Sequence, residues 1–174
     1  VGAYGLQQTA SLLEERLSLL WQGQRSAPAR HQTLRATLDW SYGLLSDVER
    51  QVLRRLAVFA GDFTIEAARV VATSRKIDQP MVLAAIESLV AKSMVTNFRV
   101  GDTTRYRLLD TTRAYALEVS DDDKWAAAAA RHAIHYKQWL EGAGGKWQTL
   151  SHGAERALHL ADIANVRAAL EWCF

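Results

Sequence analysis

Histidine, cysteine and arginine are the residues of this chain that could do chemistry, and their spacing decides which chemistry. His132 and His135 lie three positions apart in an Ala-rich helical stretch, so they could share one metal ion. No second pair of ligands with suitable spacing accompanies them, which favours a solvated or core-edge role. The same interpretation applies to the other histidines, which are His31, His152 and His159. The sequence therefore predicts no metal site.

Motifs for phosphate binding and covalent catalysis are absent from the sequence. There is no glycine-rich loop followed by Lys and Ser or Thr, and no Gly-x-Ser-x-Gly turn. Cys173 is the single cysteine, which excludes an intrachain disulfide and indicates an intracellular compartment. The balance of 21 Lys and Arg against 19 Asp and Glu is too even to indicate a nucleic-acid partner. We expect a non-catalytic, cytoplasmic protein without a membrane span.

Three arginines lie on a predicted β-hairpin between Ser88 and Leu117. This stretch has the pattern of a helix end, a strand, a Gly-Asp turn, a second strand and a new helix start. A hairpin after several helices is typical of a winged-helix domain. Arg99, Arg105 and Arg107 are therefore candidates for contacts with DNA phosphates, although simple alternation on a half-exposed hairpin explains them equally well.

The helix before the hairpin argues against DNA reading. In winged-helix domains this helix inserts polar and basic side chains into the major groove. Here it begins at Pro80 and contains one Glu and a single Lys, Lys92, at its end, with no Arg, Asn or Gln. Its broad apolar stripe predicts that it is mostly buried.

The remaining elements predict a mainly α fold, in which a helical winged-helix domain with one β-hairpin precedes a helical, repeat-like segment. Helices are predicted from Thr9 or Ser11 to Leu20, from Thr33 to Leu45, and from a capping box at Ser46 and Glu49 to Ala60. Three further helices are predicted to begin after a Thr64 cap, at Pro80 and after an Asp110 cap. The last helices are predicted from Lys124 to Glu141 and as two short helices beyond Leu150. Residues 22–32 are predicted to be a linker. The predicted division is a preceding helical tail with linker over 1–28, the winged-helix domain over 29–120 and the helical segment over 121–174.

Three segments resemble the winged-helix part of NB-ARC type ATPases of the STAND class, which includes many bacterial transcriptional regulators. They are residues 52–63, 89–95 and 106–116, and residues 30–42 are similar to what precedes this domain in the bacterial regulators. In that class a Met-His-Asp motif at the end of the hairpin senses the bound nucleotide. The matching residues here are Leu108, Leu109 and Asp110, so the resemblance implies that Leu109 and Asp110 are the nucleotide-state sensing candidates. Leu109 replaces the histidine and cannot donate a hydrogen bond.

The resemblance also implies partners outside this sequence. ATP or ADP would be held by an upstream nucleotide-binding domain of the parent protein, on which the winged helix packs. DNA would be bound through another domain, and protein partners through the helical region. We therefore expect a regulatory switch module. A winged helix that binds DNA directly and a helical adaptor that uses tryptophan-bearing faces remain the alternatives; Trp125, Trp139 and Trp147 are the tryptophans concerned.

Overall fold

The computed structural model describes residues 29–144 and 154–173, with side chains placed over 34–142 and 160–173. Its elements in chain order are α1 (Ala29–Gly43), α2 (Asp47–Leu56), α3 (Ile65–Ala72), α4 (Gln79–Ala91), β1 (Val95–Val100), β2 (Thr103–Leu108), α5 (Asp110–Glu118), α6 (Asp122–Gly144) and α7 (Ala154–Cys173). The chain divides into two compact units between Leu44 and Leu45. The predicted fold class is confirmed, since the described residues are mainly helical with one antiparallel hairpin.

The first unit contains α1. This helix begins at Ala29 and ends at Gly43, so the predicted linker over 22–32 is wrong for its last four residues. The Ala-, Leu- and Arg-containing sequence from Ala29 onward has enough helix-forming residues to extend the predicted helix by a turn. The helix predicted over Leu12 to Leu20, the rest of the linker and the predicted domain over 1–28 lie outside the described residues.

Helices α2, α3 and α4 each begin at a side-chain cap. Ser46 Oγ accepts a hydrogen bond from the Glu49 backbone N at 3.3 Å, and Glu49 Oε2 accepts one from Ser46 N at 2.6 Å, which confirms the predicted capping box. Thr64 caps α3 as predicted. Helix α4 is capped by Asp78, and Pro80 lies in its first turn, where a missing N–H leaves nothing unpaired.

Glu49 also joins the start of α2 to the end of α4. Its Oε1 lies 2.6 Å from Lys92 Nζ and accepts a hydrogen bond from the Ser88 hydroxyl. Burial alone would raise the pKa of this carboxyl, but hydrogen bonds from Lys92, Ser88 and Ser46 outweigh burial and lower the pKa to about 2. The carboxylate therefore stays ionised and fixes the two helices relative to each other.

The wing is an antiparallel pair in which Val95 faces Leu108 and Val100 faces Thr103. Gly101 forms the predicted turn with φ of +59°, a conformation in which a side chain is disfavoured. Phe63 adds a third, single-residue strand, because its N and O each bond to Tyr106 at 2.8 Å. The chain between α2 and α3 is thereby tied to the centre of β2.

Two sequence predictions about the later helices are wrong. Asp110 does not cap α5, because Leu109 occupies the cap position without a side-chain hydrogen bond, and Asp110 lies inside the first turn. There its negative charge still faces the positive end of the helix. The two short helices predicted beyond Leu150 are, over the described part, the single helix α7 from Ala154 to Cys173. Helix α6, predicted over Lys124 to Glu141, begins two residues earlier, at Asp122, and extends to Gly144.

Helices α6 and α7 pack in one unit with the winged helix. Arg131 of α6 donates from Nε to the Val71 carbonyl at 2.9 Å, and Arg55 of α2 donates to the Ala72 carbonyl at 2.7 Å. Both carbonyls belong to the last turn of α3, where carbonyl groups have no hydrogen-bond partner within the helix. The shared core has apolar residues from both parts, among them Val52, Leu53, Leu56, Phe59, Phe63, Val71, Val82, Ile86, Leu89, Tyr115, Ala128, Ala129 and Tyr136. The division at residue 120 stays a prediction.

Candidate functional site

The loop between α2 and α3 is the point at which the winged helix meets α7. Gly61 lies in this loop, and a Cβ atom added to it would lie 3.3 Å from the Cβ of Ala164. Glycine therefore lets the loop backbone approach α7 closely. Asn165, which is 0% exposed, bonds to the loop at two points. Its Oδ1 accepts from Ala60 N at 2.9 Å and its Nδ2 donates to the Asp62 carbonyl at 2.8 Å.

Arg105 of β2 occupies the centre of this junction. It is 1% exposed, and its guanidinium donates to both carboxylate oxygens of Asp162 on α7, at 2.7 and 3.2 Å. Its Nη2 also donates to the Asp62 carbonyl at 3.1 Å. Nε lies 2.6 Å from Asp62 Oδ2, an ion-pair contact in which the N–H is not aligned with the oxygen. The two hydrogen bonds from the guanidinium of Arg105 to the carboxylate of Asp162 fix the orientation of both side chains.

The electrostatics of the junction favour the charged form of Arg105. Burial opposes the charge of Arg105, but the hydrogen bond and charge of Asp162, together with the charge of Asp62, raise its pKa above the ordinary value. Tyr136 of α6 donates from its hydroxyl to Asp162 Oδ1 at 3.2 Å. Burial, first, and the charge of Asp162, second, raise the pKa of Tyr136. The phenol therefore stays protonated and remains a donor.

An aromatic cluster lies beside the ionic contacts. Phe59 stacks on Phe63 with ring centres 4.3 Å apart, and the edge of His132 meets Phe59 at 5.1 Å. His132 and Tyr136 come from successive turns of α6, with ring centres 4.7 Å apart. Burial is the main cause that lowers the pKa of His132 to about 4, so its imidazole is neutral near pH 7.

The predicted phosphate-contact residues separate into two groups. Arg99 and Arg107 are exposed on the wing, and Arg107 lies 3.7 Å from Asp110 in an exposed ion pair. For Arg105 the prediction is corrected, because its guanidinium is buried against Asp62 and Asp162 and cannot reach a phosphate. Leu109 is 48% exposed. Asp110 is also exposed, so both sensing candidates lie at the surface where the hairpin ends.

The outward face of α4 carries no cation. Its exposed positions are Pro80, Ala84, Glu87 and Ala91, next to the exposed first residue Gln79. The Gln79 side-chain oxygen accepts a hydrogen bond from Arg69, and Lys92 is paired with Glu49. A surface of methyl groups and one carboxylate is poorly suited to base edges or phosphates in the major groove.

Four junction residues were missed at the level of sequence: Asp62, Tyr136, Asp162 and Asn165. Their partners are far away along the chain: Arg105 and Asp162 are 57 positions apart, and Asp62 and Asn165 are 103 positions apart. Two local signals were present. Asp162 and Asn165 are polar residues three positions apart in an otherwise apolar helix face, and Gly61 precedes Asp62 in a strongly hydrophobic segment.

The helix pair also exposes an apolar groove of about 600 Å³ between α6 and α7. Ile134, Leu140, Leu170 and Trp172 line it and are each at least two-fifths exposed. Trp125 and Trp139 are half-buried, and Trp147 lies outside the described residues. An adaptor role through this surface stays a prediction.

No cluster of His, Cys, Asp and Glu among the described residues has the geometry of a metal site. His132 is buried in the aromatic cluster and His135 is half-buried. The side chains of His31, His152 and His159 are not among those that the structure describes. Across the described helices, none is long and apolar enough to cross a membrane.

The helices α3 and α4, followed by the hairpin of β1 and β2, have the arrangement of a winged helix-turn-helix domain. Comparison with known proteins agrees with this class. Residues 45–121 match the family described as "Winged helix-turn-helix domain". Over 169 residues the chain is 40% identical to a protein of Mycobacterium tuberculosis strain H37Rv named "Putative HTH-type transcriptional regulator", and equally to its counterpart in Mycobacterium bovis. An "Uncharacterized protein" of Mycobacterium tuberculosis is 38% identical over 128 residues, which are 72% of this chain and 33% of that protein.

The relatives are much longer than this chain. The aligned part covers 95% of this chain but only 19% of the first two relatives. The match of residues 45–121 leaves α6 and α7 outside the family model, although the long relatives align with nearly the whole chain. The chain thus contains a winged helix-turn-helix domain and is homologous to proteins named as transcriptional regulators.

Proposed function

We propose that residues 45–173 are a non-catalytic switch module of a longer, ATP-dependent transcriptional regulator of the STAND class. The observation that carries this proposal is the outward face of α4, which presents Pro80, Ala84, Glu87 and Ala91 where a DNA-reading helix needs cations and amides. A helix of that composition is better suited to contact with another protein domain. The two relatives named as transcriptional regulators are about five times longer than the aligned part, which leaves room for a nucleotide-binding domain.

The end of the hairpin is the proposed contact with that domain. Leu109 and Asp110 are exposed side by side, where the resemblance locates nucleotide-state sensing. Since Leu109 cannot donate a hydrogen bond, it would act by apolar contact, whereas Asp110 supplies the charge. The module would stay docked in the ADP state and move when ATP replaces ADP, because a ligand shifts an equilibrium only through different contacts in the two states.

Nucleotide exchange in the full-length protein tests the switch. Asp110→Ala should increase the release rate of a fluorescent ADP analogue several-fold, because the docked state loses a charged contact. Asp102→Ala is the matched control, since Asp102 is an exposed aspartate at the hairpin turn. Equal release rates in the Asp110 variant and the wild type would contradict the proposal.

Direct DNA binding is the second candidate, favoured by the winged helix-turn-helix match and by exposed Arg99 on the wing. A mobility-shift assay of the 174-residue chain with random-sequence duplexes at low and high salt separates the two functions. The switch proposal expects only weak binding without sequence preference. Tight, sequence-selective binding with a steep salt dependence, lost in an Arg99→Ala, Arg107→Ala variant, would establish the DNA-binding function instead.

A further inference from the structure

Three arginines without a carboxylate partner come together where α2, α3 and α6 meet. Arg55 of α2 donates from Nη1 to the Ala72 carbonyl at 2.7 Å. Arg131 of α6 donates from Nε to the adjacent Val71 carbonyl at 2.9 Å. Arg54, the neighbour of Arg55 on α2, has its Nη1 3.5 Å from the carbonyl that follows α5. Among the described residues, none of these three arginines forms an ion pair.

The charges of the three arginines act on one another. Arg55 is only 8% exposed, and burial, followed by the charges of Arg131 and Arg54, lowers its pKa. Burial also lowers the pKa of Arg131. No carboxylate is among the causes that act on either pKa. Since buried charges in folded proteins are normally paired with an opposite charge, this cluster lacks an anion.

The end of α3 offsets only part of this charge. Its last carbonyls form the negative end of the helix dipole, which is equivalent to about half an elementary charge. Arg55 and Arg131 bring two full positive charges to that end, and Arg54 adds a third beside them. Hydrogen bonding to α3 therefore explains where Arg55 and Arg131 lie, but it leaves a net charge of roughly +2.5.

A small pocket opens beside the two arginines of α2. Arg54 and Arg55 line it from α2, and Lys124 lines it from α6. Asp121 is the carboxylate of the lining, and its charge is matched by Lys124 Nζ at 2.7 Å. The interior of the pocket is about 10 Å³, enough for one water molecule, so a ligand would bind at its mouth.

Arg55 keeps nitrogens for such a ligand. Its Nε and Nη2 form no hydrogen bond with the described residues, and they are not among the fully enclosed unpaired nitrogens. They therefore remain accessible next to Arg54, which is half-buried. Guanidinium groups donate paired N–H bonds to phosphate oxygens, with fixed geometry.

We propose that the mouth of this pocket binds a small tetrahedral dianion, namely phosphate or the phosphate group of a monoester. Arg54 and Arg55 would donate to its oxygens, and the charge of Arg131 would act from behind them. A dianion offsets most of the excess positive charge, whereas a carboxylate offsets less than half of it. A large organic ligand is disfavoured because the pocket offers it almost no enclosed volume.

Anions of different charge test this assignment. Calorimetric titration of the 174-residue chain, at constant ionic strength and mildly alkaline pH, compares phosphate, which is then mainly dianionic, with acetate. We expect phosphate to bind with a dissociation constant of about 1 mM or lower, and acetate about tenfold more weakly. Phosphate binding that does not saturate, or equal binding of acetate, would overturn the proposal.

A matched pair of variants locates the site. Arg54→Gln removes one cation together with only a 3.5 Å contact, so the variant should keep its thermal melting midpoint in the absence of phosphate. It should weaken phosphate about fivefold, which is the effect of one unit charge about 4 Å away in water. Arg99→Gln, an exposed arginine of the wing, should leave the affinity unchanged. Affinity unaffected by Arg54→Gln, or reduced equally by Arg99→Gln, would contradict this location.

Two further titrations identify the source of the phosphate group. Glycerol 3-phosphate should bind as tightly as inorganic phosphate, because the substituent can extend from the open mouth into solvent; its exclusion would leave inorganic phosphate as the ligand. Displacement of phosphate by a random-sequence DNA duplex, abolished by Arg54→Gln, would make this surface a nucleic-acid contact and overturn the assignment to a small anion. These titrations use the chain without ADP or ATP, so failure here is separate from failure of the switch.

Discussion

At the scale of single residues, Arg105 shows how a side chain that alternation assigns to the surface becomes the centre of a buried contact. Its neighbours Arg99 and Arg107 on the hairpin are exposed, but Arg105 meets Asp62 and Asp162 from distant parts of the chain. Removing one partner of a buried ion pair leaves the other charge uncompensated, which is more destabilising than the net value of the pair.

Replacement of Arg105 should therefore be severe. Arg105→Met is expected to lower the free energy of unfolding by about 3–5 kcal/mol, because the buried carboxylate of Asp162 and the half-buried carboxylate of Asp62 lose their cation. Urea denaturation followed by circular dichroism measures the change. Arg99→Met, an exposed arginine of the same hairpin, should change stability by no more than about 0.5 kcal/mol. Similar losses in both variants would show that the junction contributes little.

Glu49 gives a prediction about pH. Its pKa is lowered from the ordinary value of 4.5 to about 2, so the folded state binds a proton less readily than the unfolded chain. The resulting stability is fully present above about pH 4.5 and is lost as the pH falls through about 2. Because Lys92 is partly exposed and screened, we expect about 1–2 kcal/mol.

Unfolding midpoints in urea between pH 2 and pH 6 measure this contribution. Glu49→Gln keeps a capping side chain at the start of α2 but removes the charge, so stability should vary less with pH over this window. Lys92→Met should also reduce the dependence, since the charged partner is missing. An unchanged pH profile in Glu49→Gln would exclude this carboxylate as its source.

At the scale of elements, features determined by neighbouring residues could be read from the sequence. The Ser46–Glu49 capping box, the Thr64 cap, Pro80 in the first turn of α4 and the Gly101 turn all depend on partners within a few positions, and each is present in the structure. Helix α4 also ends in a local motif, with Ser93 at φ of +58° and Met94 N bonded to the Leu89 carbonyl at 2.9 Å.

Features that depend on residues far apart along the chain could not be predicted from the sequence. Asp162 and Asn165 are polar residues within the apolar pattern of α7, but both side chains are buried because Arg105 and the loop of residues 59–62 supply their partners. Asp110 fails as a cap for a different reason. The helix begins at Asp110 itself, so Leu109 takes the cap position, and the Asp110 carboxylate lies 3.7 Å from Arg107. The wing arginines Arg99 and Arg107 and the hairpin end at Leu109 and Asp110 are exposed, and their roles as site residues stay predictions.

The contact of the 59–62 loop with α7 can be tested with one methyl group. Gly61→Ala adds a Cβ atom about 3.3 Å from the Cβ of Ala164, so α7 must shift by a few tenths of an ångström. We expect a loss of about 1 kcal/mol in unfolding free energy, as for overpacking in a close-packed interior. Gly142→Ala, at a helical glycine of α6 with nothing within 4 Å of the added atom, should instead stabilise by about 0.5–1 kcal/mol. A stabilised Gly61 variant would mean that α7 is not closely packed against this loop.

At the scale of the whole unit, the winged helix and the helices α6 and α7 share one core and one buried ionic junction. A switch module with this construction would transmit movement of the helices directly to the hairpin end, because no flexible linker separates them in residues 45–144. Such coupling requires that α7 does not open independently of the winged helix. Native-state hydrogen exchange measures that property directly.

In the wild-type chain, the slowest amides of α4, β2 and α7 should exchange with similar opening free energies. Asn165→Leu keeps the volume of the side chain but leaves Ala60 N without its partner and removes one of the two donors to the Asp62 carbonyl, so α7 amides should open about 1–2 kcal/mol more easily than those of α4. Arg167→Leu, an exposed change two residues along the same helix, should keep the values together. If α7 already opens much more easily than α4 in the wild type, the winged helix and the helix pair are separate domains. The boundary predicted at residue 120 would then hold, and movement of the helices could not be transmitted rigidly to Leu109 and Asp110.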